Sequence, residues 1–242
     1  MYMVNAVENR QEPSQQLRLY CLGDSITAGV PGVSYCRYLT HRPLVQDGKG
    51  GDTVFGLKQR LKAYAPDSAS IFVIEIGTND IMLPYLKTLS DDWSLGIDAM
   101  ERKGLRISSD RDEFLQEYQA VLEHLAGARV LCVSIPCIGE NMGSPVNARV
   151  DFYNQGIEQL CSEHNKTFID FNRWQKSCLK DGGSAYFIQP KRSHMLLDIL
   201  LSKGLFLTSR LSRSRQLVST LDGVHLNHYG AQNLARLISA CL

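Results

Sequence analysis

The sequence predicts an α/β protein in three layers, α/β/α, built on a five-stranded parallel sheet. Two observations carry that prediction. Strand-like apolar runs alternate with amphipathic helical patterns five times along the 242 residues, as they do in parallel sheets covered on both faces. Two of the runs also stop abruptly in polar turns, Gly23-Asp24-Ser25 and Gly77-Thr78-Asn79-Asp80. The carboxyl ends of strands in open α/β sheets are where ligands bind. Right-handed crossovers leave few other topologies.

Residues 1–16 are polar and read as a flexible N-terminal arm, leaving 17–242 as one domain. Residues 17–22 are the first apolar run and lead into Gly-Asp-Ser. A loop at 30–32, a short helix over 34–40 and a weak second strand over 43–46 follow, and the chain then enters a glycine cluster at 48–53. Val54, Leu57, Leu61 and Tyr64 recur at helical spacing, with Asp52 or Thr53 in position to cap that helix. Residues 71–76 are apolar except for Glu75 and rich in β-branched side chains, the clearest strand of the chain. The stretch 82–110 fits no sheet element and reads as an insertion, part loop and part helix. Ser109 with Asp112, or Asp110 with Glu113, starts the next helix, whose core stripe is Phe114, Leu115, Tyr118, Leu122 and Leu125. A fourth strand spans 129–135 and a fifth 167–171. Between them, Val150, Tyr153, Ile157, Leu160 and Cys161 stripe another helix. The last helix, capped by Asn227, buries Ala231, Leu234, Ala235, Ile238 and Cys241.

Residues 172–220 break this rhythm and read as a second insertion, before the last helix. Leucine dominates 195–207, and 191–215 holds six Lys or Arg against one Asp. We read it as an extra pair of helices packing on the core with a solvated basic face. That reading is preferred to a lid over an acyl pocket or a basic amphipathic surface lying on anionic lipid.

The bulk composition excludes several classes. A net charge of +1 with 44% hydrophobic residues suits a globular protein with a substantial core and offers no general attraction for nucleic acid. No secretory leader pattern opens the chain, and no run reaches the ~18 apolar residues of a membrane span. Seven cysteines are an odd number; Cys21 and Cys132 in strand-like runs, and Cys161 and Cys241 on apolar helix faces, read as small buried hydrophobes. A cytoplasmic location is expected.

Four stretches remain to be explained: Gly23-Asp24-Ser25, Gly51-Asp52-Thr53, Gly77-Thr78-Asn79-Asp80 and Asp222-Gly223-Val224-His225. Singly, each reads as a turn, loop or cap. Together, in this order, they resemble the sequence blocks of the SGNH, or GDSL-type, esterase and lipase family. The resemblance covers about 17–171 and 221–242, leaving the two insertions aside, and Leu226 stands where many members have proline. It implies a flavodoxin-like SGNH hydrolase fold and a serine esterase or acylhydrolase working through an acyl-enzyme. A serine needs a base to take its proton; His225, with an ordinary pKa near ~6.5, is the natural one. Asp222 would orient that imidazole and stabilise its charged form. The implied oxyanion hole is the backbone N–H of Ser25, that of Gly51, and the side-chain amide of Asn79. The implied substrate is a small-molecule acyl ester, such as an acetylated sugar, short acyl ester, thioester or lysophospholipid. Acyl transfer to an alcohol at the same site, or a binding or scaffolding role on the same fold, are the alternatives. No cofactor is expected. A Mg²⁺ reading of Asp24, Asp52 and Asp80 ranks lower, because no phosphate-cradling motif accompanies them. Asp80 is expected to cap the turn that aims Asn79. His228 is a second candidate base, expected to face solvent at the helix start.

Overall fold

The computed structural model describes residues 17–179 and 183–242, so the expected arm at 1–16 lies outside the described residues. Strands β1 (Arg18–Gly23), β2 (Leu44–Gly48), β3 (Ser70–Glu75), β4 (Arg129–Val133) and β5 (Thr167–Ile169) form one sheet. Its order is β2-β1-β3-β4-β5, and every neighbouring pair is parallel. The helices are α1 (Ser25–Ala28), α2 (Val54–Leu61), α3 (Thr78–Leu89), α4 (Asp91–Arg102), α5 (Arg111–His124), α6 (Pro145–Glu163), α7 (Phe171–Cys178), α8 (Arg192–Ile199), α9 (Thr208–Ser214) and α10 (His228–Ser239).

Alternation along the strands divides the core into two layers. Leu22, Phe72, Ile74, Val130 and Cys132 pack against α2, α3, α5 and α6. Leu19, Cys21, Ile71, Val73, Leu131 and Val133 pack against α10, the 3₁₀ turn Tyr35–Tyr38 and the start of α7. Because both faces are covered, the strands read as continuous apolar runs rather than alternating ones. The order reverses between β1 and β3, and such a switch point opens a crevice at the strands' carboxyl ends.

Several boundaries move for local reasons. The fourth strand ends at Val133 because the Ile135 N–H and C=O bond the Asn154 side chain (2.7 and 2.9 Å) rather than a neighbouring strand. The fifth ends at Ile169, since Asp170 accepts a bond from Arg173 N (2.9 Å) and caps α7. Thr53 occupies the cap position of α2, yet its hydroxyl donates to the Arg106 carbonyl (2.6 Å), and Asp80 receives the Val54 N–H instead (3.0 Å). Asp110 caps α5 through Glu113 N (2.9 Å), and Asn227 caps α10 through Gly230 N (3.0 Å).

The leucine-rich segment differs most from its expected packing. Four of its leucines do not face the core: Leu196, Leu197, Leu200 and Leu205 are exposed and Leu201 and Leu207 half-buried, while Asp198, Ser202, Thr208 and Ser212 are buried. On the inward side buried Asp198 pairs with half-buried Arg215 (2.6 Å), while these leucines lie on the outward side. All seven cysteines are free, with Cys241 only half-buried beyond the end of α10.

Candidate active site

The nucleophile candidate is held by its own turn. Asp24 Oδ1 accepts the Ile26 N–H (2.8 Å), capping α1 and setting Ser25 at the helix start just past β1. Gly23, the last strand residue, has no room for a Cβ, which would run into the Glu75 carbonyl on β3.

The Asp222-Gly223-Val224-His225 segment is a tight turn stitched by one carboxylate. Asp222 Oδ1 accepts the backbone N–H of Val224 (3.0 Å) and of His225 (2.8 Å), leaving Oδ2 to meet His225 Nδ1 at 2.7 Å. Gly223 takes a left-handed φ of +93°, which favours glycine here. The turn reaches the serine because Val33 N donates to the Leu226 carbonyl (2.8 Å), tying it to the loop beyond α1. Leu226, in the position where proline is common, is buried in the core. His225 Nε2 then lies 3.0 Å from Ser25 Oγ, both residues being buried. Residues 200 positions apart form one hydrogen-bonded chain, Ser25–His225–Asp222.

The ring's electrostatics follow from two opposed effects. Burial favours neutral imidazole, but the adjacent Asp222 carboxylate outweighs it and raises the His225 pKa above its ordinary 6.5. Burial also works against the Asp222 charge, and the imidazole with the two backbone N–H groups outweighs it, holding that carboxyl below the usual range.

Gly51 and Asn79 come from the other side of the crevice. Gly51 sits at φ +73° between β2 and α2. Asn79 Nδ2 donates to the Asp52 carbonyl (2.8 Å), with Asp24 Oδ2 at 3.4 Å. Turning the amide over would set its oxygen against that carbonyl, so the donor orientation is fixed. Among the described residues, neither the Ser25 nor the Gly51 N–H has a backbone partner. Asp52 is itself held by Arg60, whose Nη2 contacts Asp52 Oδ2 (2.7 Å) and the Gly23 carbonyl (2.9 Å).

The three aspartates do not assemble a cation site. Asp24 caps α1, Asp52 pairs with Arg60, and Asp80 accepts from Val54 N and from Ser108 N and Oγ. No cluster of metal-binding side chains occurs among the described residues. Asp80 therefore caps α2 rather than only its own turn, and burial raises its pKa to about 7. His228 is half-buried and bonds Tyr38 Oη through Nδ1 (2.7 Å).

Three supporting groups were not singled out by the sequence. Buried Glu140 receives five bonds, from Val218 N, Ser219 N and Oγ, and Thr220 N and Oγ1 (2.6–2.9 Å), fixing the strand-like approach to Asp222. Arg215 bonds Asp198 (2.6 Å) and the Leu221 carbonyl (2.9 Å), joining the leucine-rich segment to the histidine turn. Glu75 bonds Thr27 Oγ1 through Oε2 (3.1 Å) and lies against Asp24. Its Oε1 meets no protein donor, and each of these two buried carboxyls disfavours the charge on the other, which adds to the effect of burial on Asp24. Burial pushes Glu75 up to about 7. A lone acid inside the clearest strand was the one available signal for it; Glu140 and Arg215 carried none, because their partners are distant in sequence.

Two further features frame the crevice. Met100 of α4 approaches Gly51, its Cε 3.1 Å from where a Cβ would stand. Beyond it lies a mostly apolar cleft of about 710 Å³ between α4 and α8, lined by Trp93, Ile97, Met100, Met195 and Leu196. The two insertions meet here, through Ser90 Oγ to the Pro190 carbonyl (2.5 Å) and Trp93 Nε1 to the Gln189 carbonyl (2.9 Å).

Comparison with known proteins agrees with this architecture. An acetylxylan esterase from Geobacillus stearothermophilus superposes with a TM-score of 0.59 at 20% identity, covering 93% of each chain. A member of the lipolytic G-D-S-L family from Veillonella parvula gives 0.58 at 16% identity, over 93% of this chain and 97% of that one. An α/β hydrolase from a Lake Arreo metagenome gives 0.61 at 18% identity, over 93% and 94%. These likenesses show the fold. No curated protein matches the chain in sequence. The family model for GDSL-like lipases and acylhydrolases matches residues 21–232, and across that span, from Cys21 before the Gly-Asp-Ser turn to Gln232 after the histidine, the chain belongs to the GDSL-like lipase/acylhydrolase family and is a hydrolase of ester bonds.

Proposed function

We propose that this chain cleaves a carboxylic ester through a covalent acyl-enzyme on Ser25. Ser25 Oγ attacks the ester carbonyl carbon while its proton passes to His225 Nε2. The charge left on the carbonyl oxygen is met by the N–H groups of Ser25 and Gly51 and the Asn79 amide. Collapse expels the alcohol, which takes the proton from His225. Water then loses a proton to the same nitrogen and attacks the acyl carbon, and collapse releases the acid as His225 returns that proton to the departing Ser25 Oγ. Asp222 keeps the Nδ1 proton in place and stabilises the imidazolium. The observation that supports this reading best is the continuous chain from Ser25 Oγ through the ring to Asp222, at 3.0 and 2.7 Å.

The substrate reading follows from what lies beside Gly51. An acyl group extending from the reacting carbon past Gly51 would meet Met100 and the apolar cleft behind it. That supports an ester with an apolar acyl chain over one presented by an open polar sugar groove. Purified protein is expected to hydrolyse p-nitrophenyl esters and to be labelled by a fluorophosphonate, with both lost in Ser25→Ala. Labelling that persists in that variant overturns the assignment. A preference for acetate over hexanoate overturns the acyl-cleft reading alone.

A further inference from the structure

The segment from α8 to α9 is inside out. Leu196, Leu197 and Leu200 share one side of α8 and the turn after it, and are 64, 47 and 59% exposed. Leu205 and Phe206 at the tip are 58 and 85% exposed. The polar members Asp198, Ser202, Thr208 and Ser212 face inward. Scattered exposed leucines are ordinary, but a contiguous apolar surface of this kind marks an interaction site.

Phe206 sharpens the point. Its φ of +55° is left-handed, an arrangement costly for a bulky residue, and it presents the ring to solvent. The left-handed turn ends the helical segment, with Leu207 N donating to the Leu201 carbonyl (3.0 Å), yet a position that glycine usually fills carries an exposed phenyl ring.

The charges around the surface choose the occupant. Lys191, Lys203, Arg210 and Arg213 are exposed, and none forms an ion pair among the described residues. Arg192 pairs with Asp92. Asp198, the one acid of the segment, is buried against Arg215 and cannot offset them at the surface. Arg37, across a cleft lined also by Lys203 and Phe206, adds to the same positive field, and partial burial together with Arg37 disfavours the charge on Lys203 and His228. A second copy meeting this face symmetrically would bring like charges together. An anionic lipid surface takes both parts at once, the apolar tip into the acyl boundary and the cations onto phosphates.

We infer that residues 196–213 form a docking surface for anionic membranes, with Leu205 and Phe206 inserting and Arg210 and Arg213 contacting headgroup phosphates. Docking there would bring the lipid boundary to the α4–α8 cleft, whose wall includes Leu196. Binding does not depend on the catalytic reading, so Ser25→Ala protein serves equally in the test.

The test is co-sedimentation of the full chain with vesicles of phosphatidylglycerol and phosphatidylcholine in equal parts, against phosphatidylcholine alone. Binding is expected to the anionic vesicles and to fall in about 1 M salt, where the Debye length is about 3 Å. Phe206→Gly suits the left-handed backbone and removes the ring, and it should weaken binding at least about tenfold. Arg210→Gln with Arg213→Gln should weaken it about 30-fold, each cation contributing about fivefold. Hydrolysis of soluble p-nitrophenyl acetate should be unchanged in these variants. No binding to anionic vesicles, or binding unaltered by Phe206→Gly, overturns the proposal. So does a concentration-dependent dimer that Phe206→Gly abolishes, since a second copy would then own the surface.

Discussion

Replacing Asp222 by Asn should keep the turn and spoil the base. Asp222 Oδ1 accepts two backbone N–H groups (2.8 and 3.0 Å), and Oδ2 meets His225 Nδ1 at 2.7 Å. An asparagine must keep its carbonyl on the backbone pair, because its NH₂ would face them donor to donor. The NH₂ then points at Nδ1, which becomes an acceptor, and the ring proton moves to Nε2. That is the atom 3.0 Å from Ser25 Oγ, so the serine proton has nowhere to go. The carboxylate that raises the His225 pKa is also lost, and burial then drives it down. The equivalent substitution in serine-protease triads costs about 10⁴ in kcat, or about 5.5 kcal/mol of barrier. The assay is kcat on p-nitrophenyl acetate for Asp222→Asn, with a thermal melt to show that the fold is retained. A folded variant keeping more than about a tenth of the wild-type kcat refutes the claim that Asp222 sets the tautomer.

Three other outcomes are expected. Asn79→Ala should lower kcat by about 10²–10³ while KM changes little, as one of several oxyanion donors is lost; a loss confined to KM would move Asn79 out of that role. His225 must be neutral to act as base and its pKa is raised, so activity should climb with pH through a midpoint above 6.5; a midpoint below 6.5 contradicts the dominance of Asp222 over burial. Glu75 ionises near 7 when folded against 4.5 when unfolded. The folded state therefore holds that proton more tightly, and stability falls as pH rises between those values. Glu75→Gln removes the slope, so its melting temperature relative to wild type should rise across that window, and a constant difference would contradict the raised Glu75 pKa.

The sheet was legible because parallel strands buried on both faces leave a signal that needs no knowledge of their partners. Residues 71–76 and 129–135 could be assigned by composition alone, and the errors were confined to ends such as Val133 and Ile169, where a distant side chain takes the backbone bond. The site motifs were legible as turns, and their order as a family resemblance. Their spacing also put Asp222 and His225 within reach of one another, three residues apart on one turn.

The distance from Ser25 to His225 belongs to the tertiary structure, set by Val33 bonding the Leu226 carbonyl and by Glu140 gathering residues 218–220. The same is true of the leucine segment. Hydropathy predicted its leucines inward, whereas the inward side carries Asp198 paired with half-buried Arg215, a pairing that no local pattern announces. Periodicity reports which residues share a face; whether a face that carries a charge can turn inward depends on a long-range partner such as Arg215, without which burying Asp198 would cost several kcal/mol.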